Sequence, residues 1–223
     1  METERLYYQD AYMRACNSVV IDVASIEEGN IGIVLDKTVF FPRGGGAAGD
    51  IGHINGVPVL ETIAVKDSGR VIHPVRIVEA GDRFDVGLSV RCEIDWGRRY
   101  RIMRLHAASH IMEHFLFSLV PGLELAGTNV NENRDSSTYI GPEITRETVN
   151  NVTQLVNEFV EKNYEIRTYP SKENDWYRFW EAGSIVIPCG GVHPRLTSDI
   201  GRVCITKEKG GKRQKIRTEL ETP

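Results

Sequence analysis

Two pairs of residues in this chain have the types and spacing that hold a metal ion. His106 and His110 stand four apart, so a helix through them presents both imidazoles on one face, one turn apart. Far downstream, Cys189 and His193 flank Gly190 and Gly191, whose freedom lets a tight turn bring thiol and imidazole together. Three imidazoles and one thiolate form a donor set whose softness and number suit zinc, one ion per chain. Either pair alone is weak, because a lone His-x-x-x-His is more often two polar residues near a surface. The conjunction carries the expectation. His114 repeats the spacing one turn on and reads as a surface histidine beside the site, not a ligand. Ala107 stands where a zinc protease keeps its glutamate base, which argues against a metalloprotease.

The elements that must position these residues can be read around them. The helix is expected from Trp96 to Leu119, stopped by Pro121 and Gly122. Ile185–Ile187 reads as a buried strand running straight into the Cys189 turn. Before the helix, from Ser18 to Ile94, the signals are those of β-structure. Val19, Ile21 and Val23 alternate, as do Ile31, Ile33 and Leu35, and later Val86, Leu88, Val90 and Cys92. Asn55-Gly56 is a hairpin signal, and Ser68-Gly69 another turn. A small barrel or sandwich is expected there, over residues 1–95.

Residues 96–223 mix helices and strands and are expected to form an α+β domain. Gly127–Val130 and Ser137–Ile140 read as strands. Val149, Val152, Leu155, Val156, Phe159 and Val160 form one stripe of a second amphipathic helix. Tyr164–Tyr169 alternates like a strand, and Asp175–Ala182 reads as a short aromatic helix. Gly201–Thr206 and Lys215–Leu220 read as closing strands, with Gly210-Gly211 between them.

The 223 residues are 41% hydrophobic and 26% charged, ordinary values for a chain that buries a core. No apolar run has membrane-spanning length and the polar start is no signal peptide, so the cytosol is the expected compartment. The four cysteines show no disulfide pattern; Cys16, Cys92 and Cys204 read as small core residues. A net charge of −4 argues against binding nucleic acid through overall charge. Arg98, Arg99, Arg101 and Arg104 nevertheless lead into the histidine helix, and Lys207, Lys209, Lys212, Arg213, Lys215 and Arg217 crowd the other end. An RNA brought to the metal is therefore a live reading. Gly44, Gly45 and Gly46, between Phe41-Pro42 and Asp50, form a loop whose amides can approach a ligand or anion. The loop lacks the Lys-Ser/Thr ending of a P-loop.

These motifs resemble, in order and over nearly the whole chain, the editing domain of alanyl-tRNA synthetase and the free-standing AlaX proteins. Met103–His110 is similar to the family's Arg-containing approach to His-x-x-x-His, and Cys189–His193 to its Cys-Gly-Gly-Thr-His. Phe41–Gly46 looks like the glycine-rich loop, Gly127–Val130 like a Gly-Ser/Thr-x-Val element, and Thr197–Gly201 like Thr-Gly-Glu-Ile-Gly. Val192, Ala47, Ser198 and Asp199 depart from the pattern, which bears on substrate preference more than on metal or fold.

The resemblance implies a trans-acting editor of the medium-length type, a small β-barrel domain followed by a zinc-binding editing domain. Such a protein hydrolyses the ester joining serine or glycine to alanine tRNA, as a monomer or homodimer. It implies that His106, His110, Cys189 and His193 hold zinc. Thr128 and Asp199 are the catalytic candidates it implies, Thr128 by offering its hydroxyl to the wrong amino acid. Gly44, Gly45, Gly46 and Arg104 are its substrate-binding candidates, with the glycine loop closing over the pocket. Three other readings stay open: an editor of serine on threonine tRNA, a non-catalytic RNA-binding module with a structural zinc, and a metal-free soluble domain.

Overall fold

The computed structural model describes residues 2–27, 29–66, 68–81, 83–173, 177–208 and 213–221. Mixed α+β structure, rich in strands, runs through it. The chain divides into two compact units: residues 1–44 with 48–99, and residues 45–47 with 100–223.

The first unit holds β1 (Glu4–Arg5), β2 (Ala15–Glu27), β3 (Asn30–Leu35), β4 (Lys37–Thr38), β5 (Gly52–Ile54), β6 (Val57–Val59), β7 (Ile63–Ala64), β8 (Val71–Arg76), the short α1 (Ile77–Ala80) and β9 (Ser89–Ile94). Seven of the strands form one sheet in the order β6-β5-β9-β2-β3-β8-β7. It curls into a half-barrel, far enough that Leu60 N, just past β6, donates to Pro74 O on β8 at 2.8 Å. The long β2 makes the bend possible. Its first half pairs with β9 and its second with β3, and register shifts between Val20/Asp22 and Ser25/Glu27 mark bulges that sharpen the twist. Val20, Ile33, Leu35, Phe40, Ile54, Val75 and Cys92 fill the curl.

Asn55 and Gly56 both have positive φ, 48° and 78°, as the two-residue hairpin between β5 and β6 demands. The expected strand through Val86 and Leu88 is shorter than its alternation implied. Gly87 turns there (φ 93°) and donates to Val20 O at 2.8 Å, so β9 begins only at Ser89.

The second unit takes in most of α2 (Trp96–Leu119), then β10 (Glu124–Val130), β11 (Asp135–Ile140), α3 (Arg146–Glu161), β12 (Ile166–Pro170), β13 (Arg178–Ala182), β14 (Ile185–Pro188), β15 (Val203–Glu208) and β16 (Gln214–Leu220). Two antiparallel sheets result, β10-β11-β16-β15 and β12-β13-β14. Ala107, Ala108, Ile111, Met112 and Leu116 of α2 meet Val149, Val152, Val156 and Val160 of α3 in one core with Tyr139, Trp180, Ile205 and Ile216. The α3 valines recur at helical spacing, and Thr145 caps the helix by accepting from Thr148 N at 3.0 Å.

Two sequence expectations are corrected here. Arg178–Ala182 is a strand, not part of a short helix, while residues 175 and 176 of that segment lie outside the described residues. Phe179 and Trp180 point to opposite faces of a strand paired on both sides, and this burial outweighs any helical spacing. Cys204 is exposed, because β15 buries Val203 and Ile205 and turns the residue between them outward. Cys92 is buried and Cys16 half-buried. The Gly210-Gly211 turn falls outside the described residues.

Candidate metal centre

Helix α2 delivers His106 and His110 side by side, their ring centroids 4.5 Å apart. Strand β14 ends at Pro188, and the next residue, Cys189, is anchored by its own N–H on Arg178 O at 2.8 Å. The chain then folds back over Gly190 and Gly191 to bring in His193. Cys189 Sγ lies 3.2 Å from His110 Nε2, 3.3 Å from His193 Nε2 and 3.8 Å from His106 Nε2. All four ligand atoms fall within 4.8 Å of one another.

The donor set fits a small tetrahedral ion. Bond lengths of about 2.0–2.3 Å to nitrogen and sulfur separate neighbouring ligand atoms by roughly 3.5 Å. The three sulfur–nitrogen distances bracket that figure. Gly191 is what allows the approach, since a Cβ on it would stand 2.4 Å from His106 Cε1 and 3.3 Å from Cys189 Sγ. The indole of Trp180 floors the site, 5.4 Å from the His110 ring and 6.0 Å from that of His193.

Burial sets the protonation of these groups. It lowers His106 to about 4, and it holds His110 and His193 well below the usual imidazole range, helped by their neighbouring histidines. All three therefore keep a free lone pair at neutral pH. Burial pushes the Cys189 thiol up to about 11, against a lowering hydrogen bond from Gly191 N. The thiol must give up its proton to become a metal ligand.

Beside the cluster, the same face of α2 carries Ser109 and Glu113 at the i+3 and i+7 positions from His106. Burial raises Glu113 to about 7, and Tyr139 Oη donates to Glu113 Oε1 at 3.3 Å. Asp135, wholly buried on β11, is raised to about 6 by burial while hydroxyls of Ser137, Thr128 and Ser109 hold it down. Thr128 Oγ1 donates to Asp135 Oδ1 at 3.1 Å and lies 3.0 Å from Ser137 Oγ.

The remaining residues singled out from sequence take varied places. Val130 N donates to Gly46 O at 2.8 Å, so the end of the glycine loop docks on β10. A Cβ on Gly46 would stand 2.2 Å from Thr128 Cγ2. Gly45 and Gly46 both have positive φ, 57° and 83°. Arg104 Nε donates to Ile200 O at 2.8 Å, and Asp199 Oδ2 accepts from Leu196 N at 3.2 Å, closing the turn that follows His193. His114 is exposed. Ser109 and Glu113 were readable as a continuation of the histidine stripe. Asp135 and Ser137 were not, because only strand pairing brings them to Thr128.

A strand-rich α+β chain whose helix and Gly-Gly turn bring three histidines and a cysteine together is, in class, a protein with a cluster suited to a metal ion. No family model matches the chain. It is 30% identical over 220 residues to the alanyl-tRNA editing protein AlaX-M of Pyrococcus horikoshii, covering 98% of this chain and 97% of that one. The AlaX-M of Saccharolobus solfataricus is 29% identical, with 96% of each chain covered. The alanine–tRNA ligase of Methanobrevibacter smithii is 31% identical over 92% of this chain and 25% of its own length. The chain belongs to the AlaX family of alanyl-tRNA editing proteins.

Proposed function

We propose that this protein is a trans-editing hydrolase that cleaves the ester linking serine, and in the same pocket glycine, to alanine tRNA. The observation that carries this reading is the convergence of His106, His110, Cys189 and His193 in a chain matched end to end with AlaX-M. The four residues hold one zinc ion, whose chemistry when bound is to polarise a carbonyl or lower the pKa of water. Everything else falls to the chain itself. Gly44 ends the first stretch of the half-barrel unit, while Gly45 and Gly46 belong with the editing site in the second unit. Thr128 reads the side chain of the misplaced amino acid, and Gly45 and Gly46 support it from the glycine loop. Arg104 and Asp199 hold the turn after His193 in place through Ile200 O and Leu196 N.

Discrimination follows from size and polarity. Alanine is smaller than serine, so the pocket cannot reject it by steric means. It must instead present buried polar groups that only serine's hydroxyl satisfies. The cluster around Thr128 supports this role, since it places a half-buried hydroxyl beside the buried hydroxyl of Ser137 and the buried carboxylate of Asp135. No described helix is long and apolar enough to cross a membrane. The tRNA substrate places the activity in the cytoplasm.

The test is amino-acid release from alanine tRNA charged with serine, glycine or alanine, and from threonine tRNA charged with serine, with metal content measured on the same preparation. Rapid release of serine from alanine tRNA, with one zinc per chain, is expected. Release from threonine tRNA alone would replace this reading with a threonine-system editor. Bound zinc without any release would leave an RNA-binding module.

A further inference from the structure

Asp135 is wholly buried, yet its partners are hydroxyls and a backbone amide rather than a cation. Ser137 Oγ reaches its two carboxylate oxygens at 2.9 and 3.2 Å, and Thr128 Oγ1 reaches Oδ1 at 3.1 Å. Ser109, on the α2 face that carries His106 and His110, supplies a further hydroxyl. A carboxylate only accepts hydrogen bonds. Thr128 has therefore spent its single proton on it, while Ser137 shares one proton between the carboxylate and Thr128 Oγ1, 3.0 Å away.

For Thr128 this has a directional consequence. Its proton goes to Asp135, and its methyl is pinned against Gly46, where a Cβ would come within 2.2 Å. Both substituents of the β-carbon are held, so the rotamer is fixed as well as the proton. What Thr128 presents to a ligand is oxygen lone pairs alone.

We propose that Asp135 is a positioning residue that makes Thr128 an obligate acceptor, so that the site selects an aminoacyl group carrying a hydrogen-bond donor on its β-carbon. The inference rests on the proposed editing reaction and adds to it the polarity of recognition. Serine's hydroxyl donates to Thr128. Alanine, with nothing to donate, leaves a lone pair of the half-buried Thr128 oxygen unmatched. A nearly isosteric side chain that can accept but not donate is refused as alanine is.

The test uses the metal-loaded wild-type protein and three variants. On the wild type, alanine tRNA charged with 3-fluoroalanine, close to serine in size but without a donor, is expected to be deacylated as slowly as alanyl-tRNA. Asp135→Asn, which can turn an amide N–H toward Thr128 and free its proton, should narrow the serine-over-alanine preference by about ten- to a hundredfold, the scale of one buried hydrogen bond. Zinc content should not change. Thr128→Val should narrow the preference to a similar degree, and Asp135→Asn should add little on top of it in the double variant.

Rapid release of 3-fluoroalanine by the wild type would overturn the proposal without any variant. So would an unaltered preference in Asp135→Asn, or an Asp135→Asn effect that persists in full beside Thr128→Val, which would mark a purely structural role. If the wild type releases no serine at all, the proposed function fails, and this inference with it. Serine release with the acceptor test failed leaves the function standing and removes only the inference.

Discussion

Gly191 occupies a space beside His106 that no side chain can share: a Cβ there would lie 2.4 Å from Cε1 and 2.8 Å from Nδ1 of the imidazole. The Gly191 amide also donates to Cys189 Sγ at 3.3 Å, so one residue both clears room for one ligand and orients another. Gly191→Ala should therefore weaken metal binding by on the order of 10–100-fold, as loss of support around a ligand does. Competition against a chelator of known affinity would measure it. Unchanged affinity would show that the turn relaxes at no cost.

Metal binding should release one proton, and that proton belongs to Cys189. The histidines are already neutral near pH 7, because burial holds their pKa values low, whereas the thiol titrates at about 11. Apparent affinity should consequently rise about tenfold per pH unit between pH 6 and 8. Cys189→Ala should flatten that dependence and lose most of the affinity. A flat profile in the wild type would remove Cys189 from the ligand set.

The glycine loop makes a separate prediction. Gly46 has a φ of 83° and no room for a Cβ against Thr128. Gly46→Ala should leave zinc content intact while displacing Thr128, with a fall in kcat/KM for seryl-tRNA of about a hundredfold. Steady-state deacylation beside a zinc assay separates the two effects.

Arg99 and Asp50 form a buried ion pair in the first unit, 1% and 2% exposed. Arg99 Nε reaches both carboxylate oxygens at 2.8 Å, and the guanidinium also donates to Val39 O at 2.6 Å and Ala11 O at 3.0 Å. Arg99→Met strands a desolvated carboxylate, and should cost about 3–5 kcal/mol in urea denaturation.

His73 offers a pH probe of the same unit. Burial lowers it to about 4, and its ring nitrogens face Thr38 Oγ1 at 2.8 Å and Ile33 O at 2.9 Å. The unfolded chain binds this proton more tightly, so the neutral histidine's contribution is complete above about pH 6.5 and is lost as pH falls toward 4. The loss amounts to about 3 kcal/mol. His73→Gln should flatten the stability profile between pH 4 and 6.5; an unaltered slope would assign it to other groups.

Local patterns made much of this protein legible. The His106/His110 pair could be placed on a helix because four-residue spacing means one face whatever the fold. Asn55-Gly56 could be read as a hairpin because few residues tolerate its dihedrals. The α3 valines announced a buried face at helical period. Arg178–Ala182 misled because its aromatics suit either period, and pairing with β12 and β14 decided the matter. Cys204 misled because strand parity, not the polarity of a single residue, sets which side faces solvent.

What the sequence by itself determined was therefore the identity of the four candidate ligands and the local geometry of each pair. Both are short-range consequences of helix pitch and glycine freedom. Only the tertiary structure decided that the two pairs meet, 83 residues apart at Cys189 and His106. It alone placed Asp135 behind Thr128 as well, through the register that sets Val130 opposite Asp135 and Thr128 opposite Ser137. A strand register is fixed by which faces of which strands are buried together, and that is a property of the packed core rather than of any one segment.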